Sequence, residues 1–248
     1  DQDDVDARVL GQIAHKVLEN YFVDKTNVNL SVKLKKIIEE VTFDFCENNF
    51  VKNTLVLSCH LDWLFEMLFI LIKRLEEFSL ERNGRIVGQE VDFGLSKTGF
   101  SPVKISFAGR HYLLGGRIDR IDRVDEGFLV FDYKLSSSDV LKSFLSPRQM
   151  LKSHFQVPIY LRLVSERFSS GQKVNISLAS IKDGKLVFLN DSSAFDKIFD
   201  DNQAESMAQK IDEIFSPIIN GEVLATKGEQ CAQCDLSFFC RKDEAEND

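Results

Sequence analysis

Residues 115–135, GGRIDRIDRVDEGFLVFDYKL, decide the fold of this chain. Their pattern predicts two consecutive strands joined by a turn at Asp125-Glu126-Gly127. The second strand, residues 128–135, is apolar at odd and even positions alike until Asp132 and Lys134 interrupt it. Residues two apart on a strand project from the same face, so this acid and this lysine should lie side by side at the end of a buried strand.

A third charge, Asp119, stands on the neighbouring predicted strand. Taken alone, an acid and a lysine two residues apart at a strand end usually form a surface salt bridge. Here the strand is apolar on both faces, and a buried charge without a counter-charge or a metal costs several kcal/mol. Strand geometry therefore favours a divalent metal bound beside a phosphate group, and it leaves a buried ion pair open.

Composition excludes few classes of protein. The 248 residues, 44% of them hydrophobic and 21 of them Phe, allow one or two domains with a sizeable core. No uninterrupted apolar run reaches the roughly 18–20 residues of a membrane span, and the acidic start is not a secretory signal. That start comes only a few residues before a helical pattern, which predicts a fragment of a longer protein.

Charge and cysteine content bear on the substrate and the compartment. The net charge of −8 neither supports nor excludes a DNA substrate, because a bound metal reverses the local sign at acidic ligands. Five cysteines in a chain of this length do not predict a secreted disulfide framework. We expect a cytoplasmic, reducing setting.

Hydrophobic periodicity predicts a mixed α/β domain over residues 1–220, with a helical insertion at 24–82, followed by a cysteine-bearing tail at 221–248. Two turns are strongly indicated, Asp183-Gly184 between two strands and Asn220-Gly221 after the last helix. Residues 85–135 predict a meander of strands. The predicted helices are 5–22, 32–50, 60–80, 148–168 and 203–219, and the predicted strands are 85–95, 103–107, 112–124, 128–135, 174–181 and 185–189.

Two further patterns flank the charged strand. Gly11, His15 and Leu18 have the spacing i, i+4, i+7, which places them on one face of the first helix. Gln156 and Tyr160 are four residues apart on the helix that follows the charged strand. Taken singly, the histidine is more often a partly buried core residue, and the second pair is more often an ordinary polar face.

The order of these patterns resembles the PD-(D/E)XK nuclease superfamily, and in particular its RecB-like branch. That family has a helix with G-x-x-x-H-x-x-L-E, a strand with G-x-x-D-R-x-D, a strand ending D-Y-K, and a helix with Q-x-x-x-Y. The resemblance covers about residues 7–165. The matching residues are Gly11, His15, Leu18 and Glu19; Gly116, Asp119, Arg120 and Asp122; Asp132, Tyr133 and Lys134; and Gln156 and Tyr160.

The resemblance implies a restriction-endonuclease-like α/β core, with a central mixed β-sheet flanked by helices and a helical insertion. It also implies that His15, Asp119, Asp132 and the backbone carbonyl of Tyr133 bind one or two Mg²⁺ or Mn²⁺ ions. Oxygen ligands with at most one imidazole suit these hard cations. Lys134 would orient or help to deprotonate the attacking water, and Asp119, Asp132 and Lys134 would form the catalytic set.

Three other residues receive supporting roles from the resemblance. Gln156 and Tyr160 would position the DNA backbone or support the metal site. Glu90, in the strand before the meander, would be a further acid that supports the ligands from behind.

Cys231, Cys234 and Cys240 form a C-x2-C-x5-C cluster after the last predicted helix. Zinc would need a fourth Cys or His nearby, and no histidine follows His154. The cluster resembles the C-terminal part of an iron–sulfur staple in some RecB-like nucleases, whose fourth cysteine precedes the histidine-bearing helix. No cysteine precedes Gly11 here, so we expect a [4Fe–4S] cluster only in a longer parent chain that supplies the fourth ligand.

The resemblance finally implies a function. The chain would be a metal-dependent DNA nuclease, and an exonuclease in particular. It would belong to a RecB/AddB-like helicase–nuclease of double-strand break repair, with DNA ends or single strands and a helicase subunit as partners. The alternatives are a non-catalytic module of the same fold that binds DNA ends or a partner, and a nuclease of the CRISPR-adaptation type.

Overall fold

The computed structural model describes residues 7–24, 26, 28–49, 55–97, 99–146, 149–150, 154–169, 171–189, 201–222, 231 and 234. Within these residues, the elements with assigned bounds are three helices, then five strands, two helices with a π-helical turn after the second, two strands and a last helix, and residues 149–150 are also helical. The helices are α1 (Ala7–Val23), α2 (Leu30–Asn49), α3 (Leu55–Glu81), α4 (Ser138–Phe144), α5 (Gln156–Val164) with the π-helical turn Ser165–Ser169, and α6 (Asp201–Ile219). The strands are β1 (Arg85–Phe93), β2 (Val103–Phe107), β3 (Arg110–Leu114), β4 (Gly116–Val124), β5 (Gly127–Lys134), β6 (Lys173–Ser180) and β7 (Leu186–Phe188).

The central sheet is mixed and five-stranded, in the order β1-β4-β5-β6-β7. β5 pairs with β6 in parallel, and the other neighbours are antiparallel. The prediction of a sequential meander was wrong, because β1 pairs with β4 while β2 and β3 form a separate hairpin. The predicted strand 112–124 is likewise two strands that part at Gly115, where the chain passes so close to Phe93 and Gly94 that a Cβ would lie 3.1 Å from their backbone.

Both faces of the sheet are covered by apolar side chains. One cluster joins the sheet to the β2–β3 hairpin and to α4, α5 and α6, and the other joins it to α1, α2 and α3. β5 supplies Phe128 and Val130 to the first cluster and Phe131 and Tyr133 to the second. Every residue of β5 before Lys134 is buried, which confirms the expectation drawn from its apolar pattern.

α3 is, within the described ranges, the one helix that is long and apolar enough to cross a membrane, judged by length and composition alone. The segment holds no uninterrupted apolar run of that length, because Asp62 and Glu66 interrupt it. The buried face of α3 packs inside the domain, and the ring of Phe78 meets that of Phe131 edge-on at a centroid distance of 6.1 Å. The structure thus gives α3 a packing role against the sheet.

The segment after β5 differs from its prediction. The predicted helix 148–168 is divided, because Gln149 and Met150 are helical and α5 begins only at Gln156. A short helix, α4, also forms at Ser138–Phe144, where no helix was predicted. Pro158 accounts for the late start, because proline has no N–H to donate and is tolerated only in the first turn of a helix. Asp183 supports α4, since its carboxylate accepts hydrogen bonds from the backbone N–H and the hydroxyl of Ser138 at 3.0 and 2.8 Å.

The other predicted elements agree with the structure to within a few residues. The turn at Asp183-Gly184 joins β6 to β7, and α6 ends at Asn220-Gly221 with the glycine at φ +80°. The helices predicted at 24–82 are present as α2 and α3. Their status as an insertion, and the boundary at 220 between domain and tail, stay predictions.

Candidate metal centre

The end of β5 brings an acid and a lysine together, as its sequence predicted. The Lys134 ammonium donates a hydrogen bond to Asp132 Oδ1 at 3.1 Å and lies 2.9 Å from Oδ2. Asp132 is 3% exposed, and its Oδ2 accepts no hydrogen bond from any residue that the structure describes. Burial raises the pKa of Asp132 to about 6, although the charge of Lys134 opposes the rise. The site therefore holds a buried carboxylate whose Oδ2 has the Lys134 ammonium as an ion-pair partner but accepts no well-directed hydrogen bond from the described residues.

The peptide groups of Tyr133 are held from two sides. Its backbone N–H donates to Asp119 Oδ2 at 2.7 Å, and its carbonyl oxygen lies 3.1 Å from His15 Nε2. The other imidazole nitrogen, Nδ1, is 3.4 Å from Asp119 Oδ1. Burial lowers the pKa of His15, but the hydrogen bond and charge of Asp119 and the charges of Asp132 and Glu90 outweigh it and raise the pKa overall. Helix α1 and strands β4 and β5 thus meet at this point.

Glu90, on β1, completes a close group of potential metal ligands. Among the described residues, His15, Glu90 and Asp119 are the one set of three or more potential ligands whose atoms all lie within 4.8 Å of one another. The pairing of β1 with β4 places Glu90 beside Asp119, between the partners Gln89–Arg120 and Val91–Ile118. Burial and the charge of Asp119 raise the pKa of Glu90 to about 7.

The backbone of Glu90 is strained. Its φ is 45°, in the left-handed region that side chains other than glycine rarely occupy. Such a conformation costs on the order of 1–3 kcal/mol and is concentrated at functional sites. The strain therefore indicates a functional role for this acid. In the described chain, one basic side chain forms an ion pair with its carboxylate, the Arg117 guanidinium at 3.7 Å.

The structure brings most of the expected ligands together. His15 contacts both Asp119 and the carbonyl of Tyr133, and Glu90 lies beside His15 and Asp119 rather than behind them. The carboxylate of Asp132 is outside the 4.8 Å group and is tied to Lys134 instead.

The donor set fits a hard divalent cation. It consists of carboxylates, one backbone carbonyl and one imidazole, which suits Mg²⁺ or Mn²⁺. Neighbouring ligands of an octahedral ion at about 2.1 Å are about 3.0 Å apart. The separation of 3.1 Å between His15 Nε2 and the carbonyl oxygen of Tyr133 is close to that value. Asp132 Oδ2, which accepts no well-directed hydrogen bond from the described residues, is a second feature that a cation would satisfy.

A chain of hydrogen bonds orients Lys134 from the other side. The Tyr160 hydroxyl donates to the carbonyl of Arg117 at 2.7 Å, so it can accept from Gln156 Nε2 at 3.3 Å. That bond fixes the amide of Gln156, whose Oε1 accepts from the Lys134 ammonium at 3.0 Å. Gln156 and Tyr160 therefore hold the lysine in the described chain, whereas a contact of either residue with DNA stays a prediction.

Replacing Tyr160 with phenylalanine should leave the Gln156 amide free to rotate and the lysine poorly oriented. We expect the rate of the DNA cleavage that the resemblance implies to fall about tenfold or more, the loss typical when a residue that orients a reactive group is removed. The measurement is kcat on a labelled linear DNA. Tyr112→Phe is the matched control, because that hydroxyl donates to Asp212 on α6 and should not affect the rate. Equal rates for the two variants would contradict the orienting role.

The metal-free protein should lose stability as the pH rises from 5 to 8. The pKa values of Glu90 and Asp132 are raised to about 7 and about 6, and the pKa of His15 is also raised. In this window the folded protein binds more protons than the unfolded chain, so its free energy of unfolding falls with increasing pH. Thermal unfolding in a chelator measures this slope, which Glu90→Gln should flatten. An unchanged slope in that variant would contradict the assignment.

The cysteine cluster lies partly within the described chain. The backbone N–H of Cys234 donates to the carbonyl of Cys231 at 3.4 Å, and neither residue forms a disulfide bond. Cys240 lies outside the described residues. The iron–sulfur cluster stays a prediction.

Comparisons with known proteins identify the family. The crystal structure of SSO0001 matches with 15% sequence identity over 94% of this chain and 96% of that chain, at a TM-score of 0.39, which is too distant for any functional conclusion. No curated protein matches the sequence. The family model of the PD-(D/E)XK nuclease superfamily, whose members are usually metal-dependent nucleases, matches residues 1–241. The chain therefore belongs to the PD-(D/E)XK nuclease superfamily.

Proposed function

We propose that this protein is a deoxyribonuclease that depends on Mg²⁺ or Mn²⁺ and hydrolyses phosphodiester bonds. The observation that carries the proposal is the meeting of His15, Glu90 and Asp119 within 4.8 Å, beside the buried pair of Asp132 and Lys134. Such a set of acids would repel itself without a cation, and the lysine beside it offers the positive charge that a reacting phosphate requires.

The roles of the residues follow from their chemistry. His15, Asp119, Asp132 and the carbonyl of Tyr133 would hold the metal, with Glu90 as a further ligand or neighbour. When bound, the metal would polarise the scissile phosphate and lower the pKa of a water molecule. Lys134 would orient that water and offset the charge that develops on the phosphate, while Gln156 and Tyr160 keep its ammonium in place.

The wider role rests on the resemblance to RecB-like nucleases. The four ordered motifs and the trailing cysteines support a nuclease domain of a RecB/AddB-like helicase–nuclease, acting as an exonuclease in double-strand break repair. DNA ends or single strands would be its substrates, a helicase subunit its partner, and the cytoplasm its compartment. A [4Fe–4S] cluster would involve Cys231, Cys234 and Cys240 in the intact protein.

The test compares cleavage of linear double-stranded, linear single-stranded and circular DNA, and of RNA, in Mg²⁺, in Mn²⁺ and in a chelator. We expect metal-dependent loss of linear DNA with the wild type and none with Asp132→Asn. Asp139→Asn removes an exposed carboxylate from α4 and should cleave like the wild type. A wild-type protein that cleaves no form of DNA with either metal would refute the proposal that it is a deoxyribonuclease.

One alternative is a non-catalytic module that binds DNA ends or a partner, which the acidic net charge of −8 favours. Calorimetric titration with Mn²⁺ separates the two, because a vestigial site should not bind the metal. A nuclease of the CRISPR-adaptation type would share the same ligands and differ in its partners. Preference for RNA or for foreign-DNA precursors over DNA ends would favour it.

A further inference from the structure

Arg120 and Asp122 are two motif residues that the proposed chemistry does not use. They pair with Phe131 and Leu129 of β5, which belong to the cluster on the α1–α3 face of the sheet. Arg120 Nε and Nη2 donate to the two oxygens of Asp122 at 2.7 and 2.6 Å, and Nη2 also donates to the Ser79 hydroxyl at 3.2 Å. Both members of the pair are at most 1% exposed.

This ion pair is set among the elements that form the metal centre. The guanidinium lies 4.3 Å from the ring centre of Phe22, on the helix that carries His15, and 5.2 Å from that of Phe131, on the strand that carries Asp132. Ser79 belongs to α3, which packs against the same face of the sheet. The pair therefore joins α1, α3, β4 and β5 immediately behind the ligands.

Tyr133 connects the ion pair to the ligands. Its hydroxyl and Arg120 Nη1 are both buried, and neither makes a hydrogen bond to a described residue. β4 and β5 are paired so that Arg120 lies opposite Phe131, and Tyr133 is two residues further along β5 on the same face, so its side chain is the diagonal neighbour of Arg120. The charge of Arg120 accordingly lowers the pKa of the tyrosine against the rise that its burial causes. The ring of Tyr133 meets the imidazole of His15 edge-on at 5.8 Å, while its peptide groups contact Asp119 and His15.

We propose that Arg120 and Asp122 are positioning residues, which fix the side chain of Tyr133 and through it the carbonyl and imidazole ligands of the metal. This inference rests on the proposed nuclease function. The energetics favour such a role, because replacing a buried ion pair with well-packed apolar residues is often neutral or stabilising. A pair retained for stability alone would gain little from being charged, whereas a bidentate pair fixes the guanidinium in one orientation beside the tyrosine.

The test is a double variant, Arg120→Met with Asp122→Leu, which removes both charges and keeps an apolar filling. We expect its metal-free melting temperature to stay within a few degrees of the wild type, and its Mn²⁺ affinity to fall about 10- to 100-fold, as when partners of metal ligands are removed. Electron paramagnetic resonance of free Mn²⁺ measures the affinity without requiring cleavage. An unchanged affinity in a folded double variant would overturn the proposal.

The matched control removes another arginine–aspartate pair, Arg110→Met with Asp212→Leu. That pair joins β3 to α6 at 3.0 Å, and its loss should leave Mn²⁺ affinity unchanged. If the first double variant fails to fold, Tyr133→Phe tests the positioning role instead, since it removes only the buried hydroxyl. Tyr133→Phe should stay folded and bind Mn²⁺ more weakly, and wild-type affinity would overturn the proposal.

The two proposals fail differently. A wild type that neither binds Mn²⁺ nor cleaves DNA refutes the nuclease and the positioning role together. A wild type that binds and cleaves, with variants that bind Mn²⁺ equally well, refutes the positioning role alone. Wild-type Mn²⁺ affinity in the single variant Arg120→Lys would show that a positive charge suffices without the bidentate geometry. That result would also overturn the proposal.

Discussion

Replacing Lys134 with methionine is expected to reduce DNA cleavage by about three orders of magnitude, the loss typical when one group that stabilises a transition state is removed. The side chain is 29% exposed, so an apolar residue of similar length fits without disturbing β5. Its ammonium is the one cation in contact with Asp132 within the described residues. The variant should therefore fold normally and lose the charge that the reacting phosphate requires.

Measuring metal binding shows whether Lys134→Met loses cleavage alone or loses the metal site as well. Without the lysine, the pKa of Asp132 should rise further, because that charge now opposes the rise caused by burial. Mn²⁺ affinity should then fall at pH 6 and recover at pH 8.5, whereas cleavage should stay low at both. Lys142→Met is the matched control, since that lysine pairs with exposed Asp139 at 2.7 Å. Cleavage by Lys134→Met at the wild-type rate would exclude the assigned role.

The second large effect is expected from Asp119→Asn. An amide of the same shape can still accept the Tyr133 N–H, which the carboxylate accepts at 2.7 Å, but it removes one negative charge from the close group with His15 and Glu90. We expect Mn²⁺ affinity to fall about 100-fold or more, or about 2.7 kcal/mol, with cleavage below detection. Titration of Mn²⁺ followed by paramagnetic resonance measures the affinity.

The metal-free melting temperature gives an independent reading of the same variant. Glu90 and Asp119 repel each other, which contributes to the raised pKa of Glu90, so Asp119→Asn should melt at a higher temperature than the wild type in a chelator. Asp125→Asn is the control, because Asp125 lies in the exposed β4–β5 turn and accepts from Asn83 at 3.0 Å. A variant that is less stable and still binds Mn²⁺ would contradict both the repulsion and the ligand role.

The fold class could be predicted because its strongest signals are local. The family match and the mixed sheet flanked by helices confirm the restriction-endonuclease-like α/β core. The apolar run of β5 indicated burial on both faces, and the turn residues Asp183-Gly184 placed the β6–β7 pair. Such patterns depend on a few adjacent residues, and they are present whatever the rest of the chain does.

Strand pairing could not be predicted in the same way. The hairpin of β2 and β3 intervenes between β1 and β4, so Glu90 lies beside residues about 30 positions further along the chain, between the pairs Gln89–Arg120 and Val91–Ile118. A meander would have placed Glu90 opposite β2 and away from Asp119. The pairing of β1 with β4 is what turns this residue from a supporting acid into a neighbour of the ligands.

The grouping of side chains at the candidate site was predicted in outline and not in detail. The motifs identified His15, Asp119, Asp132 and Lys134, because residue types and spacing are visible in the sequence. The direction of the hydrogen bonds through Gln156 depends on the carbonyl that the Tyr160 hydroxyl meets, which only the packing of α5 on β4 determines. The placement of Arg120 and Tyr133 as neighbours on one face likewise depends on the register of β4 on β5.

The parallel pairing of β5 with β6 has a consequence for the order in which the protein folds. The last of the four motifs ends at Tyr160. The strand that bears Asp132 and Lys134 nevertheless keeps one unpaired edge until residues 173–180 align beside it. A bare apolar edge is prone to pairing with other chains, and non-local parallel pairing forms slowly. The strand that bears Asp132 and Lys134 therefore completes its pairing late in synthesis, and a nascent chain that already carries every motif still lacks the sheet that would hold them in place.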